Sequence, residues 1–131
     1  MIRMKQMICV LFCLMSAGCA AVLFLGGAAA GVAGYKYYEG ALEVIYESSF
    51  METWDAALRA LERMDIEVKE KKHDLTAGKI SAMRADDKEI NLSFEYKSKE
   101  ETVVTIRVGI LGDERASNTI KEEIRRELFE R

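Results

Sequence analysis

Glu89-Ile90-Asn91-Leu92-Ser93-Phe94-Glu95-Tyr96 decides the fold. Ile90, Leu92, Phe94 and Tyr96 alternate with Glu89, Asn91, Ser93 and Glu95. Successive side chains of a strand point to opposite sides, so this pattern predicts a sheet buried on one face and wet on the other. Working outward, Val104, Ile106, Val108 and Ile110 alternate with Thr105, Arg107 and Gly109. On the other side, Ile80 and Ala82 alternate with Lys79 and Ser81, and Ile66 and Val68 with Glu67 and Lys69. The breaks are short and polar: His73-Asp74, Asp86-Asp87-Lys88, and Ser98-Lys99-Glu100-Glu101. Their lengths suit hairpins. A further strand is expected from Ala41 to Glu47, with Leu42, Val44 and Tyr46 on one side.

Two helices frame these strands. Ser49-Phe50-Met51-Glu52 has the form of a capping box. The helix after it carries Trp54, Ala57, Leu58, Leu61 and Met64 along one stripe, with Arg59, Glu62 and Arg63 toward water. Gly112-Asp113 ends the last strand, and Asp113 is a suitable N-cap. The helix it opens carries Ala116, Ile120, Ile124 and Leu128 on one side and Lys121, Glu122, Arg125 and Arg126 on the other. The expected fold is therefore α+β: a two-layer sandwich with a mostly antiparallel sheet of about five strands, in the order β-α-β-β-β-β-α, and both helices on one face. The first strand must join through the crossover helix, and its neighbour in the sheet stays open. Tyr35, Tyr37 and Tyr38, just before it, fit either an aromatic cluster at headgroup level or the start of a strand.

The N-terminal stretch has a different character. Arg3 and Lys5 precede the apolar run Met7 to Met15, and Ser16-Ala17-Gly18-Cys19 follows. Charged start, apolar run, small residues and a cysteine are the parts of a lipoprotein leader, in which a thiol takes diacylglycerol as a thioether after cleavage. This predicts a signal peptide over residues 1–18, a lipidated Cys19 with a Gly/Ala-rich membrane-proximal tether over 19–34, and a small domain over 35–131. Ser16 stands where such signals usually carry Leu. The competing reading keeps the leader. No residue from Met7 to Gly34 is charged, which exceeds the roughly 20 apolar residues of a spanning helix. Uncut, the chain is a single-pass protein with its domain outside, because Arg3 and Lys5 lie at the inner end. Gly27 and Gly31 stand at a small-xxx-small spacing, which fits a tether or a self-associating helix.

Composition narrows the functions. The chain has 131 residues, three cysteines, one histidine, no proline and a net charge of −3. Loss of the leader removes Cys9, Cys13, Arg3 and Lys5, which leaves a more acidic chain whose one thiol is blocked by lipid. Disulfides, zinc-thiolate sites and cysteine nucleophiles are then excluded. An acidic balance without a basic stripe argues against nucleic acid or anionic lipid as the main partner. His73 beside Asp74 is the one candidate general base, and in the charged turn Lys71-Lys72-His73-Asp74 a solvated side chain is the expectation. Asp86-Asp87 offers too few oxygens for a calcium cage. Glu122 and Glu123 lie among arginines on a helix, as ordinary surface pairing. Gly26, Gly27, Gly31 and Gly34 fail the strand–loop–helix context of a phosphate loop. Trp54, at helix spacing, is expected in the core rather than against a ligand. No cofactor, metal or catalytic residue is expected.

Gly18-Cys19-Ala20-Ala21, the Gly/Ala run to Gly34 and the Tyr-rich entry resemble a bacterial lipoprotein family known only as domain-of-unknown-function family 3568. So do Phe50 and Trp54, Gly78-Lys79-Ile80, Arg84-Ala85-Asp86, and Arg107-Val108-Gly109 leading to Gly112-Asp113. The resemblance covers most of the chain and implies an envelope lipoprotein; it supplies no activity and no catalytic residue. The expected function is that of a non-enzymatic binding or scaffolding module in the periplasm. It is anchored to a membrane through Cys19, and Ala20 in place of Asp directs it to an outer membrane. Its expected partner surface is the polar sheet face bearing Lys69, Lys79, Ser81, Asn91, Ser93, Thr105 and Arg107. The alternative is a membrane-anchored domain that cups a small ligand or lipid between sheet and helices. An apolar cavity would favour the alternative and a filled core the scaffold.

Overall fold

The computed structural model describes residues 31–130. The leader, Cys19 and the tether as far as residue 30 lie outside the described residues. The described part is a six-stranded sheet with two helices. Its elements are β1 (Val32–Tyr38), β2 (Ala41–Tyr46), α1 (Phe50–Arg63), β3 (Glu67–His73), β4 (Ala77–Met83), β5 (Glu89–Ser98), β6 (Glu101–Val108) and α2 (Glu114–Phe129). The sheet order is β1-β2-β6-β5-β4-β3, with every neighbour antiparallel. The expected α+β class holds, with six strands rather than about five.

The additional strand is β1. It starts at Val32, inside the stretch read as tether, and it resolves the tyrosine cluster in favour of a strand. Its pattern was hard to read for physical reasons. The register slips between Val32 and Gly34, and an edge strand has only part of one side covered. Glu39 and Gly40, both at positive φ (49° and 84°), make the two-residue turn into β2. That is the hairpin geometry usually announced by Asn-Gly or Asp-Gly. The open question of the neighbour of β2 is also settled: β2 pairs with β6, Leu42 opposite Ile106 and Val44 opposite Val104.

One face of the sheet carries the core. Leu42, Val44, Tyr46, Ile80, Ile90, Leu92, Phe94, Val104 and Ile106 meet Trp54, Ala57, Leu61, Ile120 and Ile124 from the helices, and none is more than 4% exposed. Each buried aliphatic side chain contributes about 1.5–3 kcal/mol of transfer free energy. The α1 helix crosses from β2 to the far edge at β3 and packs on β3, β5 and β6; α2 packs on β2, β6 and α1. The Ser49 hydroxyl accepts from the Glu52 amide as expected, but the Glu52 carboxylate accepts from the Ser48 hydroxyl instead of closing the box. Asp113 accepts from the Ala116 amide and caps α2.

Three side chains expected in water are not there, Lys121, Arg59 and Arg125, the last with its side chain only 17% exposed. Lys121 is buried, its ammonium 3.7 Å from the Tyr35 ring centroid, because β1 extends the sheet beneath that side of α2. Arg59 is half-buried and, with Arg63, holds the buried Glu127 carboxylate at 3.0 and 2.6 Å, joining α1 to α2. The stripe on α1 is also wider than expected, with Phe50, Thr53, Ala56 and Ala60 buried as well.

Gly78 on β4 lies under the Trp54 ring. A methyl there would stand 2.7 Å from Trp54 Cζ3 and 2.9 Å from His73 Cβ. Gly78→Ala is therefore expected to lower the unfolding free energy by about 1–3 kcal/mol through overpacking. Gly34→Ala, where nothing lies within 4 Å of the added methyl, shifts it by no more than about 0.5 kcal/mol. Urea unfolding followed by Trp54 fluorescence measures both.

Candidate functional site

The layout of the sheet face opposite the helices follows from register. One row across it reads Tyr38, Ala41, Arg107, Asn91, Ser81, Glu70. The next reads Lys36, Glu43, Thr105, Ser93, Lys79, Lys72. The third reads Gly34, Ile45, Val103, Glu95, Ala77. The structure thus brings together six of the seven residues expected on this face. Lys69 falls at the slip between Val68 and Glu70 and pairs with Glu67 at 3.1 Å on its own strand. The face bears Ser81, Ser93 and Thr105 in its middle and charges at both sides. Its columns on β6 and β2 are half-buried, as is Asn91 on β5, while Ser93 and Glu95 are exposed.

Two parts of this face are fixed. Ser81 donates to Asn91 Oδ1 at 3.2 Å. Arg107 reaches over the end of the sheet, donating to the Glu39 carbonyl at 2.6 Å and the Ile110 carbonyl at 3.0 Å. It ties the β1–β2 turn to the loop before α2. At this junction Gly112, at φ 84°, lies so close to Gly40 that a side chain would strike the Gly40 backbone. Ile110 and Leu111, both 91% exposed, form the apolar tip beside it. Ile110 was expected to continue the β6 alternation, but β6 ends at Val108, where Gly109 turns the chain at φ 74°.

At the other end of the face, β3 to β6 enclose an open basin of about 550 Å³, lined by Lys72, Asp74, Thr76, Lys79, Ser93 and Thr105 among others. His73, expected as a solvated side chain in a turn, is exposed but ends β3 instead of lying in the turn. Its ring is 4.7 Å from Trp54 and 6.1 Å from Phe50, with Phe94 against both of those rings. It joins Asp74 through Nδ1–H and the Asp74 carbonyl oxygen at 2.9 Å. The Asp74 carboxylate is held by the Thr76 amide and hydroxyl and the Ala77 amide at 2.8–3.2 Å. Those amides keep it below the ordinary carboxylate range. The two side chains are neighbours in sequence with separate partners. What sequence reasoning missed here is Lys72, placed in a turn because the charges of β3 hide its period; the strand runs to His73.

The remaining candidates are accounted for locally. Trp54 is in the core. Glu122 and Glu123 pair with Arg125 and Arg126 at 2.9 Å. Asp86 receives Arg84 Nε at 2.9 Å and Nη2 at 2.6 Å. Among the described residues, no three His, Cys, Asp or Glu side chains converge as a metal site. No helix among them is long and apolar enough to cross a membrane.

The Arg84–Asp86 fork sets a pH dependence. The guanidinium bonds lower the Asp86 carboxyl to about 2. A depressed value in the fold means that the bridge is intact above the ordinary value of 3.8 and is lost as the pH falls toward 2. Carbon-detected NMR titration should place the Asp86 midpoint near 2, and Arg84→Gln should return it toward 3.8.

No curated protein matches the chain. A family model does, over residues 3–127, and so takes in nearly the whole sequence including every described strand. Its description is a protein of unknown function (DUF3568), and the chain belongs to that family.

Proposed function

We propose that this protein is a bacterial envelope lipoprotein, held in the membrane through Cys19, whose α+β domain works in the periplasm as a non-enzymatic binding or scaffolding module. The observation that carries this reading is the leader, in which Ser16-Ala17-Gly18-Cys19 closes the apolar run from Met7 to Met15. Ala20 in the position after the cysteine favours an outer membrane. The face bearing Ser93, Thr105 and Arg107 is the surface offered to an envelope protein partner.

The packing favours a scaffold over a cupped ligand. The space between sheet and helices is filled by Tyr46, Trp54, Leu61, Leu92, Ile106 and Ile124, and the basin described above lies on the far side of the sheet, open to water. The rival anchor, a retained span, draws on the uncharged run from Met7 to Gly34. The start of β1 at Val32 takes three residues from that run and leaves it long enough to span.

Metabolic labelling with a lipid precursor separates the two anchors. The wild-type chain is expected to take the label, to lose residues 1–18 and to shift in mobility when the signal peptidase is inhibited. Cys19→Ala is expected to do none of these. Mass spectrometry that recovers an intact Met1 or a free thiol at Cys19 overturns the lipoprotein reading in favour of the span. A photo-crosslinker at Ser93 in intact cells is expected to give a discrete adduct that the same probe at Glu62, on α1, does not give.

A further inference from the structure

We infer that the basin at the β3–β4–β5 corner of the outer face is an anion site, which takes a phosphate-type oxyanion between Lys72 and Lys79. It rests on the reading of that face as a binding surface and names what one corner of it holds.

Lys72 stands directly opposite Lys79. Side chains so placed have Cβ atoms about 4.5–5.5 Å apart, and like charges there destabilise a sheet. The lysines of β3 have a role of their own, since β3 is an edge strand and charge discourages pairing with another chain. Lys79 has no such role: β4 lies between β3 and β5 and offers no free edge. The same row shows the ordinary arrangement at its other end, where Lys36 stands opposite Glu43. Beyond Lys79 the row continues as Ser93 and Thr105. Both are short and carry hydroxyls, so they floor the basin and add donors beside the two ammonium groups. Two point charges and two hydroxyls on one side of an open basin suit a tetrahedral oxyanion.

The carboxylates nearby set the size of the ligand. Asp74 borders the basin, and its Oδ1 is held by the Thr76 and Ala77 amides of its own turn. Glu70 and Glu95 flank the lysine pair in the rows on either side. Among the described residues neither forms an ion pair with Lys72 or Lys79, whereas Lys69 and Lys97 each have a carboxylate partner. A polyanion laid across the face would meet both glutamates. A single small anionic group, free or on a lipid head, meets only the lysines and hydroxyls.

The test uses the full chain in neutral detergent micelles, titrated with inorganic phosphate and separately with phosphatidylglycerol added to the micelles. The amide signals of Gly78, Lys79 and Ser93 are followed by NMR, with chloride matched for ionic strength. Movement with phosphate places a soluble anion in the basin; movement with the lipid alone places a headgroup there. Lys79→Gln should weaken the response at least tenfold and melt no lower than wild type, because it removes one of two opposed like charges. Lys36→Gln should leave the response unchanged. If neither probe moves those amides, or if Lys79→Gln binds as wild type does, the anion site is wrong, whatever the Ser93 crosslinker finds. Loss of the crosslink alone, with phosphate still bound, removes the protein partner and leaves the anion site standing.

Discussion

The pairing of β2 with β6 is the constraint from which the rest of the architecture follows. Leu42, Val44 and Tyr46 meet Ile106, Val104 and Thr102 across some 60 residues of intervening chain. Until that ladder closes, the first hairpin has no sheet to join and the meander from β3 to β6 has an exposed inner edge. Closing it also fixes the two helices. The α1 helix must travel from an inner strand at one side to the outermost strand at the other, which lays it diagonally over β6, β5 and β3. What remains uncovered, over β2 and β6, is the seat of α2. Contacts so distant in sequence demand loop-closure entropy before they return any burial, and they set the pace of folding for such topologies.

Polar groups inside this seat fix the register of α2. Tyr46, wholly buried at the end of β2, donates its phenol to the Lys121 carbonyl at 2.8 Å. Burial, reinforced by Glu122, pushes that phenol well above its ordinary range, so it remains a donor at every physiological pH. Thr102 on the neighbouring strand donates to the Ser48 carbonyl at 2.9 Å, which pins the entry of α1 to the same end of the sheet. Glu127, between Arg59 and Arg63, closes the other side of the helix pair. Hydrophobic stripes alone would tolerate a slide of one helix along the other; these directional bonds do not.

The sheet strands that carry a clean period of two were legible because each is buried on one side and wet on the other. The ends of the sheet were not. At β1 the neighbours are Gly, Ala and Tyr, which report composition more than periodicity. At β3 the alternation of Ile66 and Val68 with Glu67 and Lys69 stops at Lys69; Glu70, Lys71, Lys72 and His73 are all polar and exposed, so no pattern carries the strand on to Lys72. The opposition of Lys72 and Lys79 depends on that register, and no local pattern contains it. Lys121 and Glu127 were hidden for another reason: helix periodicity assigns each of them to a polar side, and only the positions of Tyr35 and of the two α1 arginines make those places buried.

Gly31, where the described chain begins, lies against the ring of Phe129 in the last turn of α2. The first strand and the final helical turn thus lie side by side at one corner of the domain. The β3 edge with Lys72 is five strand intervals from that corner, about 24 Å at the usual spacing, and Lys79 on β4 is four. A load drawn through the N-terminal side reaches β1 first and can peel it from β2 rung by rung, while the filled interior and the distal corner keep their shape.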